Sequence, residues 1–88
     1  MTVCTRVCYL GQVQGVGFRY TAKRLAQGYA VKGLVRNLGD GRVEMVVEGE
    51  RAEVERFLEA VRARMDGYIR AVNVQDEPVH GFEDFRIA

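Results

Sequence analysis

Val3-Cys4-Thr5-Arg6-Val7-Cys8-Tyr9-Leu10-Gly11-Gln12-Val13-Gln14-Gly15-Val16-Gly17-Phe18-Arg19, near the start of the 88-residue chain, holds two elements joined by one turn. From Val3 to Leu10 the side chains alternate: Val3, Thr5, Val7 and Tyr9 share one face, and Cys4, Arg6, Cys8 and Leu10 the other. A period of two, with β-branched and aromatic residues prominent, predicts a strand. Beyond the turn the period changes to that of a helix. Phe18, Ala22, Leu25, Ala26 and Tyr29 form one face, Lys23, Arg24 and Gln27 lie opposite, and Gly28 fits the helix end. Between them, Gly11, Gly15 and Gly17 allow positive φ angles and let backbone N–H groups approach a ligand closely. Arg19, at the start of the helix, adds a permanently charged planar fork. Together these features describe a place where a phosphate-sized anion can be held without a metal.

The same two periods carry through the rest of the chain. A second strand from about Ala30 to Leu38 meets a third from about Arg42 to Glu48 across Gly39-Asp40-Gly41, a loop with the residues a hairpin requires. Val43, Met45 and Val47 are expected to face the core, with Glu44 and Glu48 outward. A second helix, from about Ala52 to Met65, carries the stripe Val54, Phe57, Leu58, Val61 and Met65. Glu50, Glu53 and Glu55 suit the positive end of its dipole, and Arg62 and Arg64 the negative end. A fourth strand follows from about Ile69 to Gln75. Phe82, Phe85 and Ile87 form a short closing strand after the loop around Pro78 and Gly81. The order β-α-β-β-α-β with an extra C-terminal strand predicts an α+β fold of the ferredoxin-like, split βαβ type. In it two helices cover one face of a mainly antiparallel sheet. No repeat, linker or low-complexity segment interrupts the chain, so residues 1 to 88 are expected to form a single domain.

Composition limits the function classes. With 13 Lys+Arg against 12 Asp+Glu, the chain lacks the positive surplus that non-specific binding to nucleic acid or a membrane surface requires, so a small-molecule partner is expected. No apolar run approaches the ~20 residues of a membrane span, and Met1-Thr2-Val3-Cys4-Thr5-Arg6 lacks the layout of a signal peptide; a cytoplasmic location is the expectation. Cys4 and Cys8 lie four residues apart in a strand, where a rise of ~3.3 Å per residue holds their Cα atoms about 13 Å apart, too far for a disulfide. They lack Cys-x-x-Cys spacing and the chain has one histidine, His80, so no metal site is expected. A monomer is expected in the absence of a marked exposed apolar stripe.

Taken alone, the glycine turn is weakly specific, because a glycine-rich strand-to-helix connection with a solvated arginine is common. It is not a Walker loop, for it lacks the Gly-Lys-Ser/Thr ending, and the chain is too short for a dinucleotide fold. Asn37 shifts the balance: it is a neutral amide at the end of the second strand, although an asparagine beside a hairpin loop is also an ordinary turn residue. His80 is expected to be solvated in a polar loop, and Asp76, Glu77, Glu83 and Asp84 to form a solvated acidic run. Met45 and Met65 fall on core stripes. Tyr20 and Tyr68 are candidates for the mouth of a site that the sequence does not place.

Two separated motifs then combine. Leu10, Gly11, Val13, Gln14, Gly15, Val16, Phe18 and Arg19, followed by Gly33, Val35, Arg36, Asn37, Gly41, Val43 and Gly49, resemble both signatures of the acylphosphatases. The resemblance extends to the closing Phe85-Arg86-Ile87. One departure is Leu34, where the family usually carries an aromatic residue after the glycine. The resemblance implies metal-independent, cofactor-free hydrolysis of an acyl phosphate to a carboxylate and inorganic phosphate. It implies that Arg19 binds the phosphate with the backbone amides of Gly15, Val16, Gly17, Phe18 and Arg19, and that Asn37 orients the attacking water. The chemistry is consistent. The leaving carboxylate has a conjugate-acid pKa of about 4 to 5, so no general acid is required.

Two other classes compete. One is a non-catalytic regulatory or binding domain of acylphosphatase type, like the domains fused into hydrogenase-maturation proteins that use carbamoyl phosphate. The absence of a further domain in this sequence favours the enzyme. The other is an RNA-binding module on the same split βαβ frame, to which Gly15-Val16-Gly17-Phe18-Arg19-Tyr20 bears a distant likeness. That reading is disfavoured by the near-zero net charge and by the placement of the run in a turn.

Overall fold

Alternation and helical periodicity resolve into β1 (Thr2–Gly11), α1 (Phe18–Ala26), β2 (Val31–Asn37), β3 (Val43–Glu50), α2 (Arg51–Arg64), β4 (Ile69–Glu77) and β5 (Phe85–Ile87) in the computed structural model, which describes residues 1–88. The five strands lie in the order β4-β1-β3-β2-β5. β1 pairs antiparallel with β3 and β4, β2 antiparallel with β3, and only β5 runs parallel to its neighbour β2. This is the expected ferredoxin-like α+β arrangement. Boundaries move by a residue or two: α1 ends at Ala26, so Tyr29 falls beyond the helix, and Phe82 lies outside the three-residue closing strand. No helix is long and apolar enough to cross a membrane.

The core forms where the helix stripes meet the inward faces of the central strands. Val7 and Tyr9 of β1, Val35 of β2, and Val43, Met45 and Val47 of β3 pack against Phe18, Ala22 and Ala26 of α1 and Val54, Phe57 and Val61 of α2. Phe57 is fully buried, with ring centroids 6.0 Å from Tyr29 and 5.5 Å from Phe85. Truncating a phenylalanine in such a place typically costs about 3–5 kcal/mol. A second aromatic contact matters more for the site. Tyr9 and Phe18, 4.8 Å apart, tie the end of β1 to the first residue of α1, and Val13 is buried between these elements. The turn from 11 to 17 is therefore held at both ends and in its middle.

The sheet face away from the helices departs from expectation. Glu44 and Glu48 do point away from the helix layer, but they are only 5% and 6% exposed. Glu44 is covered by guanidiniums: Arg36 Nε donates to it at 2.8 Å and Arg6 at 3.4 Å. Glu48 is covered by the connection from β4 to β5, which joins the two edges of the sheet. The amides of His80 and Phe82 donate to its carboxylate at 2.8 and 2.6 Å. His80 is exposed in a loop, as expected, but it is not without partners. Its ring stacks on Phe82 with centroids 5.2 Å apart, and its Nε2 lies 3.3 Å from Glu77. Glu77, expected in a solvated acidic run, also accepts from Arg6 at 3.1 Å. Each correction has one cause: period-two alternation assigns a residue to a sheet face but cannot show what covers that face. Cys4 and Cys8 are both free thiols. Burial, then the nearby Glu48 and Glu77 carboxylates, pushes Cys4 up to about 11, which keeps it protonated and inert.

Candidate active site

The turn between β1 and α1 takes the shape its glycines allow. Gly15 and Gly17 have φ of 77° and 79°, and an added Cβ at either would meet nothing within 4 Å. Glycine is thus required there for backbone conformation and not for room, since a side chain at this φ is strained wherever it points. Gly17 is the N-cap of α1. It offers no side chain to the first-turn amides, and the first turn contains no acidic residue. The amides of Gly15, Val16 and Gly17 donate to no carbonyl in the chain, and those of Phe18 and Arg19 have no acceptor one turn back. Five successive amides therefore lie at the positive end of a helix dipole without a backbone acceptor and with no acidic residue in the first turn.

Arg19 and Asn37 come to this place from different elements. A cleft of about 190 Å³ is lined by Val13, Gly15, Gly17, Phe18, Arg19, Tyr20 and Asn37. Arg19 is half-buried and takes part in none of the chain's ion pairs. Asn37 is exposed at the end of β2. Val16 does not line the cleft, because its side chain packs back on the core and leaves only its amide to the turn. Tyr20 forms part of the wall. Tyr68 does not, although its carbonyl accepts the Gln12 amide at 3.0 Å and so steadies the start of the turn.

Gln14 stands in the first motif, but the sequence reading gave it no role. Its Nε2 donates to the carbonyls of Leu38 and Arg42 at 2.7 and 2.9 Å, clamping the glycine turn to the hairpin that follows Asn37. The hairpin is also closed internally. Leu38 N donates to Arg42 O at 2.8 Å, and Asp40 accepts from the backbone and side chain of Arg42. The Arg42 amide, against slight desolvation, and the Arg42 guanidinium hold the Asp40 carboxyl below its ordinary range. Gln12 and Gln14 are both amides in a turn otherwise of glycine and valine, and no periodicity there indicates which one points inward.

A larger cleft, about 390 Å³, lies on the open sheet face against Arg6, Cys8, Arg42, Glu44, Asn73 and Gln75. Its size does not make it the better candidate, since Arg6, Arg42 and Glu44 are already matched with partners in the chain. No three histidine, cysteine, aspartate or glutamate side chains converge anywhere in a way that could hold a metal ion.

The family model described as Acylphosphatase matches residues 5–87. An acylphosphatase of Methanothrix thermoacetophila is 40% identical over 88 residues, covering 99% of this chain and 98% of that one. The crystal structure of acylphosphatase from Bacillus subtilis superposes with a TM-score of 0.88 at 33% identity, covering 100% of this chain and 99% of the other. The T. kodakarensis HypF structure also matches, with a TM-score of 0.80 and 32% identity, over 97% of this chain but 12% of HypF.

Proposed function

The chain belongs to the acylphosphatase family, whose reaction is hydrolysis of acyl phosphates, and on that premise we propose that Arg19 and the amides of residues 15–19 hold the transferred phosphoryl group while Asn37 orients the attacking water. The observation that carries this assignment is the shared cleft: Arg19, Gly15, Gly17 and Asn37 line one cavity although they come from two separate segments.

In the proposed reaction the water oxygen forms a bond to phosphorus as the bond from phosphorus to the acyl oxygen breaks. An acyl phosphate dianion and water give a carboxylate and dihydrogen phosphate, with total charge conserved. The carboxylate leaves without protonation. Asn37 is too weak a base to remove a proton from water, but its carbonyl can accept a hydrogen bond and hold the oxygen in line. The proton passes to a phosphoryl oxygen of the substrate. Charge on the equatorial oxygens is met by the Arg19 fork and the preorganised amides, which need not reorient during the step. Nothing in this scheme calls for a metal or cofactor, and it operates on a small substrate in a monomer.

Hydrolysis of acetyl phosphate or benzoyl phosphate, with and without chelator, tests the reading together with two variants. Arg19→Gln should lose phosphate binding and turnover together. Asn37→Ala should lose turnover while inorganic phosphate still binds. Full activity in either variant, or loss of wild-type activity with chelator, would sink the mechanism. The match to a small part of HypF supports a second reading, a non-catalytic binding domain of acylphosphatase type. Phosphate binding by the wild-type chain without turnover of either substrate would decide for it.

A further inference from the structure

Beside the cleft of Arg19 and Asn37 lies a second, of about 210 Å³, lined by Gly17, Tyr20, Thr21, Arg24, Leu25 and Arg64. Gly17 and Tyr20 line both, so the two cavities adjoin across the N-terminal turn of α1, with Tyr20 as their common wall. Arg24 comes from the last turn of α1 and Arg64 from the last residue of α2. Five of the chain's arginines are engaged in ion pairs: Arg6, Arg36, Arg42, Arg56 and Arg86. Arg24 and Arg64 are among the six that are not, and neither side chain donates a hydrogen bond within the chain. Their positions at helix C-termini suit the helix dipoles. That accounts for their sign but not for the convergence of both on one cleft beside a third unmatched guanidinium, Arg19. Like charges gathered in this way repel, and the region favours a ligand with more than one negative group.

We propose that the second cleft receives a terminal carboxylate on the acyl chain, so that the preferred substrates are acyl phosphates of dicarboxylic acids. The proposal rests on the reading that the phosphoryl group sits at residues 15–19. Arg24 and Arg64 would touch the remote end of the acyl chain and not the reacting atoms. Their contribution is the same in the ground state and the transition state, so it lowers KM and leaves kcat unchanged. They are specificity-determining residues for the reaction, and the bond broken remains that between phosphorus and the acyl oxygen.

The experiment compares succinyl and glutaryl phosphates with butyryl and valeryl phosphates, which match them in reach but end in a methyl group. Wild-type protein should show a KM about fivefold lower for the carboxylate-ended substrates, in keeping with partly exposed ion pairs. That preference should shrink as salt is added. The double variant Arg24→Gln, Arg64→Gln should equalise the KM values and leave kcat unchanged on all four, with thermal unfolding lowered only slightly, since both side chains are exposed and lose no more than a helix-dipole contact. Equal KM values in the wild type, or an undiminished preference in the double variant, would overturn the inference alone. Failure of the wild type to hydrolyse any of the four would overturn the hydrolase reading and this inference with it.

Discussion

The glycine turn and the open face of the sheet both present arginines, yet they treat them in opposite ways. On the sheet face Glu44 accepts from Arg36 and Arg6, Arg6 also reaches Glu77, and Glu48 takes two backbone amides. Charges there are matched within the chain, and the Glu44 and Glu48 carboxylates are almost completely buried. At the head of α1 Arg19 has no ion-pair partner, and three loop amides beside it donate to nothing in the protein. Burying an unmatched charge or amide is costly, so these groups remain at a half-exposed surface where solvent or a ligand can reach them. Residue type therefore does not separate structural from ligand-binding charge. What separates them is whether the fold supplies the counter-charge.

Paired substitutions test that contrast. The largest effect belongs to Arg19→Lys, which keeps the charge and removes the fork. It should lower kcat/KM by about 10²–10³-fold, the scale of losing a preorganised donor, while leaving the melting temperature unchanged. A melting temperature that falls with activity would show that Arg19 is also structural. Glu44→Gln is the mirror case. Weakening two charge-assisted bonds should cost about 1–2 kcal/mol in denaturant unfolding, with kcat and KM of the folded protein unchanged. Gln14→Leu falls between the two, because Gln14 joins the turn to the hairpin after Asn37. Stability should drop by up to about 1 kcal/mol and kcat by about tenfold, with the affinity for inorganic phosphate retained. Equal losses in kcat and phosphate affinity would show that Gln14 shapes the cradle itself instead of aligning the hairpin.

The contrast also explains what the sequence reveals. Periods of two and 3.6 are imposed by burial on one face, so the strands, helices and core stripe of Phe57, Val61 and Met45 are legible wherever a helix layer covers the sheet. The turn is legible because Gly15 and Gly17 mark a backbone conformation other residues avoid. Arg19 and Asn37 draw notice as two motifs, but their convergence on one cleft depends on the crossing of β1, α1 and β2, which only the fold supplies. Glu44, Glu48 and His80 escape the reading for a related reason. Their partners Arg36, Arg6, Glu77 and the Phe82 amide come from neighbouring strands or from a connection spanning the sheet, and no local period encodes that. Gln14 escapes because its acceptors are backbone carbonyls, which have no residue identity to recognise.

The smallest effect tests the contrast by pH. Burial alone would raise Glu48, but the amides of His80, Phe82 and Gly81 outweigh it and hold the carboxyl below its ordinary value of 4.5. For Glu77, burial is likewise outweighed by the bonds from Arg6 and His80. A carboxyl depressed in the folded state binds protons less readily there than in the unfolded chain. Its stabilisation is complete above the unfolded value and is lost as pH falls through the folded ones. The acid limb of the stability curve, measured by denaturant unfolding between neutral pH and the acid range, should therefore descend below about 4.5 in the wild type. Glu48→Gln should lower stability at neutral pH and make that limb shallower, since the amide cannot titrate. Arg19→Gln should leave the limb as it is, because the cradle contains no carboxylate to protonate. A limb unchanged by Glu48→Gln would remove Glu48 as its source, and one altered by Arg19→Gln would mean that the two regions share their electrostatics.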